Sequence, residues 1–280
     1  MKTSAVSCPY KNLFIYHVDG IFGRDYERYL GRKYIGNWVE DRYSFLFFSE
    51  DPGDDLKDII IRQPGLCILD KYSFSYEEWQ GGGFEKRVIE EFIIAPPWEE
   101  VNTGTLHRII LDPGVVFGNG LHPTTQDCLR AVSYLKKLFP FNKVIDIGTG
   151  TGILAIASVY LGAMEVTAID LNPLAVKTAA NNVLLNNFAA RIKVHEAKAE
   201  DYACKKTDVL IANIHYDVIQ MMFAKQWFAE KKYFIFSGLM RSQAGALRDL
   251  IRNNGMKIIK EWDYDMTWYT ILAKGIAHDK

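Results

Sequence analysis

No apolar run in this chain approaches the roughly 20 residues that a bilayer core demands, and Lys11, His17 and Asp19 interrupt the N-terminal stretch before a signal-type apolar region can form. Cysteine is scarce: Cys8, Cys67, Cys128 and Cys204 stand far apart with no paired spacing, which argues against a disulfide frame or a zinc site and for reduced thiols; no metal is expected. Charge of one sign is lacking too. The net charge of −1 gives no global attraction to nucleic acid or to a membrane surface, so direct nucleic-acid binding is not indicated and any basic patch must be local. Internal repeats and low-complexity tracts are absent. What remains is a soluble, cytoplasmic globular protein of 280 residues, 49% hydrophobic and 24% charged, long enough for one large or two modest domains, its oligomeric state left open.

Against that plain background one stretch stands out, Lys143-Val-Ile-Asp-Ile-Gly-Thr-Gly-Thr-Gly152. A short apolar run closes on an acid and three alternate glycines, and Ile153 to Leu161 then returns apolar residues at helical spacing, which predicts strand, tight loop and helix. Gly148, Gly150 and Gly152 can take positive φ and let a ligand lie against bare backbone, while the helix start offers unpaired N–H groups. Asp146 selects the ligand: a carboxylate at the strand end repels a phosphate and attracts an ammonium or sulfonium group.

Downstream, Glu165-Val-Thr-Ala-Ile-Asp170 is a second β-branched run closing on an acid, about where a βαβ unit ends its second strand. An aspartate there can accept both ribose hydroxyls of a nucleoside through charge-assisted bonds of roughly 1.5 to 3 kcal/mol each. A ribose, a cationic neighbour and no pyrophosphate together describe S-adenosyl-L-methionine. A turn that only packs strand on helix and a nicotinamide site are the alternatives, the latter disfavoured by Asp146.

Residues 1–78 mix strand-like runs (Leu13 to Tyr16, Tyr43 to Phe48, Leu66 to Leu69) with turns and a short helix over 55–61, which predicts a small α+β domain with an antiparallel sheet. Its tyrosines and tryptophans, among them Tyr29, Trp38, Tyr72 and Trp79, suit either a recognition surface or the edges of a small core. Residues 79–105 read as a linker, with Gln80-Gly-Gly-Gly83 its flexible part, and residues 106–280 as the cofactor-binding domain. In that domain a glycine-bearing loop carries Phe117 and His122 into a helix over 124–139 and can cover a ligand; His122 suits a helix cap equally well. Strands over 191–195, 207–213, 233–237, 256–262 and 267–273 alternate with helices over 173–187, 217–229 and 241–253, giving a doubly wound, mostly parallel α/β sheet with one antiparallel strand. Asp146, Asp170 and Asn213 all fall at the carboxyl edge of that sheet, where such folds bind ligands.

These residues resemble the ribosomal protein L-eleven methyltransferase family, PrmA. The resemblance runs from about Tyr76 to the end, through Trp79, Phe92 to Trp98, Leu111-Asp-Pro-Gly, Phe117-Gly-Asn-Gly-Leu-His-Pro-Thr-Thr125, Asp146 to Gly152, Leu154-Ala-Ile-Ala157, Asp170 and Ala212-Asn-Ile214. It implies a class I methyltransferase with a seven-stranded Rossmann-like sheet, using S-adenosyl-L-methionine to methylate lysine side chains or the N-terminal amine of a ribosomal protein. It also implies that Phe117, His122 and Thr125 border the methionine part of the cofactor, Gly148 and Gly150 lie under it, Asp170 holds the ribose and Asn213 faces the reacting end. The family pattern is departed from at Asn119 and Leu121, where threonine is usual, and at Lys198, where an acid toward adenine is common; residues 1–70 share only size and α+β character with the family's substrate-recognition domain.

Asn213 is the residue to orient an acceptor amine through its side-chain carbonyl, although a strand-end asparagine also serves as a plain turn residue. Rival readings keep the cofactor but methylate nucleic acid, glutamine or a small molecule, since Asn213-Ile-His-Tyr216 distantly resembles the Asn-Pro-Pro-Tyr element of other amino-methyltransferases without its prolines, or bind the cofactor without turnover as an adaptor.

Overall fold

A computed structural model of the protein describes residues 8, 11–82, 85–202, 205–225 and 231–276. They divide into two compact units, Met1–Glu85 with Asn172–Leu174, and Lys86–Leu171 with Ala175–Lys280. Gly83 of the expected flexible stretch, Cys204, and residues 226–229 of the expected helix over 217–229 lie outside the described residues.

The first unit holds β1 (Asn12–Asp19), α1 (Arg24–Glu27), β2 (Tyr34–Glu40), β3 (Tyr43–Phe48), α2 (Asp54–Ile61), β4 (Cys67–Ser75) and α3 (Tyr76–Trp79). Its strands form one antiparallel sheet in the order β2-β3-β1-β4. Strand alternation puts Tyr16 and Val18 of β1 with Leu46 and Phe48 of β3 on one face, where they bury Leu56, Ile59 and Ile60 of α2 together with Phe22. The sequence reading has no β2. Its Gly36-Asn37 pair weakens the strand signal, and a register irregularity between Tyr34 and Gly36 breaks the apolar alternation that would mark it.

The second unit opens with a side sheet of β5 (Arg87–Ile89), β6 (Phe92–Ala95) and β7 (His107–Ile110), in which β6 and β7 run parallel. Then come α4 (Pro123–Leu138), β8 (Lys143–Ile147), α5 (Ile153–Tyr160), β9 (Glu165–Asp170), α6 (Pro173–Leu185) and β10 (Ile192–Glu196). After a single 3-10 turn follow β11 (Thr207–Asn213), α7 (Tyr216–Ala224), β12 (Lys231–Met240), α8 (Arg241–Asn253), β13 (Lys257–Tyr264) and β14 (Trp268–Lys274). The seven-stranded sheet has the order β10-β9-β8-β11-β12-β14-β13, with β14 running opposite to the other six.

The inner strands β11 and β12 are continuous apolar runs, as strands covered on both faces must be: Leu210, Ala212, Phe234 and Phe236 pack with Ala244, Leu247 and Ile251, which recur at helical spacing along α8. From β8 the chain winds outward through β9 and β10, then returns to lay β11 on the other side of β8. This reversal opens a crevice at the carboxyl ends of β8 and β11, the place where doubly wound sheets take ligands. Among the described residues no helix is long and apolar enough to cross a membrane.

Candidate functional site

The crevice is built around the bend between β8 and α5. Gly148, Gly150 and Gly152 all take left-handed φ, 68°, 56° and 82°. All three also lack room for a side chain: a β-carbon on Gly148 would lie 2.2 Å from Cγ2 of Ile214, one on Gly150 2.7 Å from the carbonyl oxygen of Phe117, and one on Gly152 3.3 Å from Ala179 of α6. The absence of side chains therefore lets Ile214, the Phe117 backbone and α6 close directly on the bend.

Asp146 and Asp170 stand at the same end of adjacent strands. Asp146 pairs with Ala168 in the β8–β9 register, and Asp170 is the last residue of β9, opposite Glu196 of β10. Asp170 accepts the Gly150 amide at 3.0 Å, so this carboxylate holds the bend itself. Asp146 is only 1% exposed. Its Oδ2 accepts the Thr149 hydroxyl at 2.6 Å, while its Oδ1 is buried with no hydrogen-bond partner among the described residues. Burial pushes its pKa up to about 7, opposed by the Thr149 bond and by the backbone N–H of Ala155 in α5, and reinforced by the nearby charge of Asp170.

The segment before α4 forms the other wall. Thr151 donates its hydroxyl to the carbonyl of Gly118 at 2.8 Å, tying the Phe117 segment to the bend, and Phe117 itself stays 54% exposed. His122 is the residue that caps α4: Thr124 donates its backbone N–H to Nδ1 at 3.4 Å, and the Thr124 hydroxyl lies 2.8 Å from the same nitrogen. The imidazole also meets Phe117 at 5.2 Å and Trp268 at 5.0 Å between ring centroids. Cap and site wall are thus one residue. Burial lowers the His122 pKa, which favours a neutral ring.

Thr125, in the first turn of α4, is 1% exposed, and its hydroxyl has no partner among the described residues. Asn213 ends β11 opposite Ser237 of β12, and Gly238 leaves room beside it, since a β-carbon there would sit 3.3 Å from Asn213 Oδ1. Asn119 turns its own loop by accepting the Leu121 amide at 2.9 Å, and Lys198 donates its amide to Asp201 at 3.0 Å, opening the 3-10 turn after β10.

The structure brings Asp146, Gly148, Gly150 and Asp170 together at the bend, Phe117 and His122 beside it, and Asn213 to the tip of the next strand; Thr125 follows the His122 cap, its amide bonded to the His122 carbonyl at 3.1 Å. Three contributors went unread in the sequence. Thr149 and Thr151 fill the gaps between the glycines, a visible signal. Trp268 reaches His122 only through the β12–β14 pairing, which leaves no local mark. Among the described residues no cluster of His, Cys, Asp and Glu could hold a metal ion.

Comparison with known proteins gives a consistent answer. Residues 77–275 match a family model described as ribosomal protein L11 methyltransferase (PrmA). The ribosomal protein L11 methyltransferase of Listeria welshimeri is 36% identical over 194 residues, which make up 67% of this chain and 60% of that protein. The corresponding protein of Staphylococcus saprophyticus is 32% identical over 239 residues, 82% of this chain and 75% of that one. Among solved structures, the ribosomal protein L11 methylase from Lactobacillus delbrueckii matches with a TM-score of 0.61 at 27% identity, over 68% of this chain and 98% of that chain. The METTL16 methyltransferase domain, at 17% identity and a TM-score of 0.50, shares the fold.

Proposed function

Since the chain belongs to the ribosomal protein L11 methyltransferase family, we propose that it methylates an amine of a protein, a lysine side chain or an N-terminus, with S-adenosyl-L-methionine as donor and a ribosomal protein as acceptor. The observation that carries this reading is the glycine bend held between Asp146 and Asp170 at the switch point of the sheet.

The residues present fit the cofactor. The bend has glycine at three positions of left-handed φ, Asp170 stands at the strand tip where a ribose would be held, and the carboxyl of Asp146 lies buried beneath the bend as a negative group that a sulfonium would favour. When bound, the cofactor supplies an electrophilic methyl group on a positively charged sulfur. The rings of Phe117 and Trp268 both meet His122 beside the bend, and a neutral His122 would place no second cation near the first.

The protein's remaining task is alignment. Asn213 at the tip of β11 orients the acceptor nitrogen through its side-chain oxygen. That nitrogen must be neutral. An unperturbed lysine, pKa about 10.4, is neutral in fewer than about one case in a thousand at pH 7, so burial beside a cation has to lower its pKa. Displacement at a methyl group then needs no general base from the chain. The first unit, with its exposed tyrosines and separate core, is assigned the choice of acceptor, and the ribosomal acceptor places the reaction in the cytoplasm.

Incubation with methyl-labelled S-adenosylmethionine and a cell extract tests the reading. Label in one protein band that survives nuclease supports it; label only in RNA or DNA, or none, overturns it.

A further inference from the structure

The outer edge of β7 is closed by side chains instead of by another strand. Toward β6, His107 donates its amide to Glu91 at 2.8 Å and Leu111 donates its amide to Ala95 at 2.9 Å, so the residues between them, Arg108, Ile110 and the following Asp112, turn their backbone groups outward. The carbonyl of Arg108 accepts the Tyr160 hydroxyl at 2.5 Å. Ile110 donates its N–H to Asn186 Oδ1 at 3.0 Å and accepts from Asn186 Nδ2 at 2.7 Å. Asp112 does the same with Asn182, at 2.8 and 3.0 Å. Each primary amide thus exchanges with one residue the pair of bonds that a neighbouring strand would make. The geometry matches because four helical residues rise about 6.0 Å and two strand residues about 6.6 Å.

The two rungs lead to different places. The third bond of Asn186, from Nδ2, returns to the preceding helix at the Asn182 carbonyl, 2.8 Å away. Asn182, 0% exposed, spends its remaining proton on the carbonyl of Thr151 at 2.9 Å, inside the glycine bend. One buried amide therefore joins the segment leading to Phe117, the bend under the site, and the helix that follows Asp170.

We propose that Asn182 is a positioning residue: through the backbones it holds, it sets the spacing between the Phe117 segment and the glycine bend before any ligand arrives, whereas Asn186 only closes the edge of β7. Resting on the adenosyl reading of the site, this means that the cofactor meets two walls already fixed and bears no cost for ordering them.

The full-length variants Asn182→Ala and Asn186→Ala separate the roles. Amide hydrogen exchange without ligand should rise over residues 112–118 and 148–152 in Asn182→Ala, and only over residues 107–111 in Asn186→Ala. Calorimetric titration with S-adenosylhomocysteine should show affinity about tenfold weaker in Asn182→Ala and within about twofold of wild type in Asn186→Ala. Equal losses of affinity in the two variants, or unchanged exchange over 148–152 in Asn182→Ala, would overturn the positioning role. Should Asn182→Ala not fold, Asn182→Ser is read in the same way. Wild-type protein that fails to take up S-adenosylhomocysteine would refute the adenosyl reading alone, and the exchange pattern would still decide what Asn182 does.

Discussion

Gly148 and Ile214 touch across the crevice: a β-carbon on Gly148 would lie 2.2 Å from Cγ2 of Ile214. Ile214 follows Asn213 at the tip of β11, so the contact joins the strands on either side of the switch point. Gly148→Ala then meets two costs, about 1–2 kcal/mol for an L side chain at left-handed φ and about 1–3 kcal/mol for the overlap. Denaturant unfolding should show both. In the Gly148→Ala/Ile214→Ala pair the overlap vanishes and the φ cost stays, so the double variant should be at least about 1 kcal/mol more stable than the sum of the singles requires. Strict additivity would show that the clash is not what excludes a side chain at Gly148.

Asp170→Ala should separate binding from folding. Losing its part-buried bond to the Gly150 amide takes about 0.5–1.5 kcal/mol from the fold. Two ribose hydroxyls lost at about 1.5–3 kcal/mol each weaken cofactor affinity by at least about a hundredfold. Asp170→Asn, which keeps an acceptor for Gly150 but not the charge, should fall between. Calorimetry that finds Asp170→Ala binding S-adenosylmethionine like wild type would remove this residue from the site.

Legibility in the sequence follows the physics of each element. The strand Thr207–Asn213 and the helix Arg241–Asn253 have the bounds read from the residues alone, because one is an unbroken apolar run covered on both faces and the other a clean helical period stopped near Gly255. The acids at the ends of the β8 and β9 runs mark the ligand edge as clearly, since each interrupts an apolar run next to a strand end. What stayed hidden depends on partners distant in the chain. The strand β2 is concealed by its bulge, the pairing of β6 with β7 spans a loop, and Trp268 meets His122 only after β14 has found β12. Asp146 is the instructive case: its position was legible, but its near-complete burial under Thr149 is a property of packing that no spacing conveys.

In the first unit a cavity of about 600 Å³ is lined by Tyr26, Tyr29, Arg32, Lys33 and Arg62 among others. Tyr29 is 59% exposed, with the Arg28 guanidinium 4.8 Å over its ring. A tyrosine held open in this way offers contact area at little entropic cost. If this unit selects the acceptor, Tyr29→Ala should raise KM for the protein acceptor about fivefold or more and leave cofactor affinity unchanged. Steady-state kinetics with unaltered KM would place acceptor recognition elsewhere.

The protonation of Asp146 gives the site a pH dependence with a definite sign. Its folded pKa of about 7 lies above the ordinary carboxylate value of about 3.9, so between those values the folded protein holds a proton that the unfolded chain has released. The stability due to this group is therefore fully present below the lower value and is lost as pH rises through 7. Asp146→Asn cannot ionise, and its melting temperature should lack the decline that wild type shows between about pH 5 and about pH 8. Ligand charge adds a sharper test. A sulfonium next to Asp146 favours the carboxylate and expels the proton, whereas the neutral sulfur of S-adenosylhomocysteine does not. The affinity ratio of S-adenosylmethionine to S-adenosylhomocysteine should thus rise with pH through neutrality, by at most about tenfold per pH unit for a single proton, and should be flat in Asp146→Asn. Equal pH slopes for the two ligands in wild type would mean that Asp146 does not sense the sulfur, and the buried carboxyl would be left with the structural task of holding Thr149.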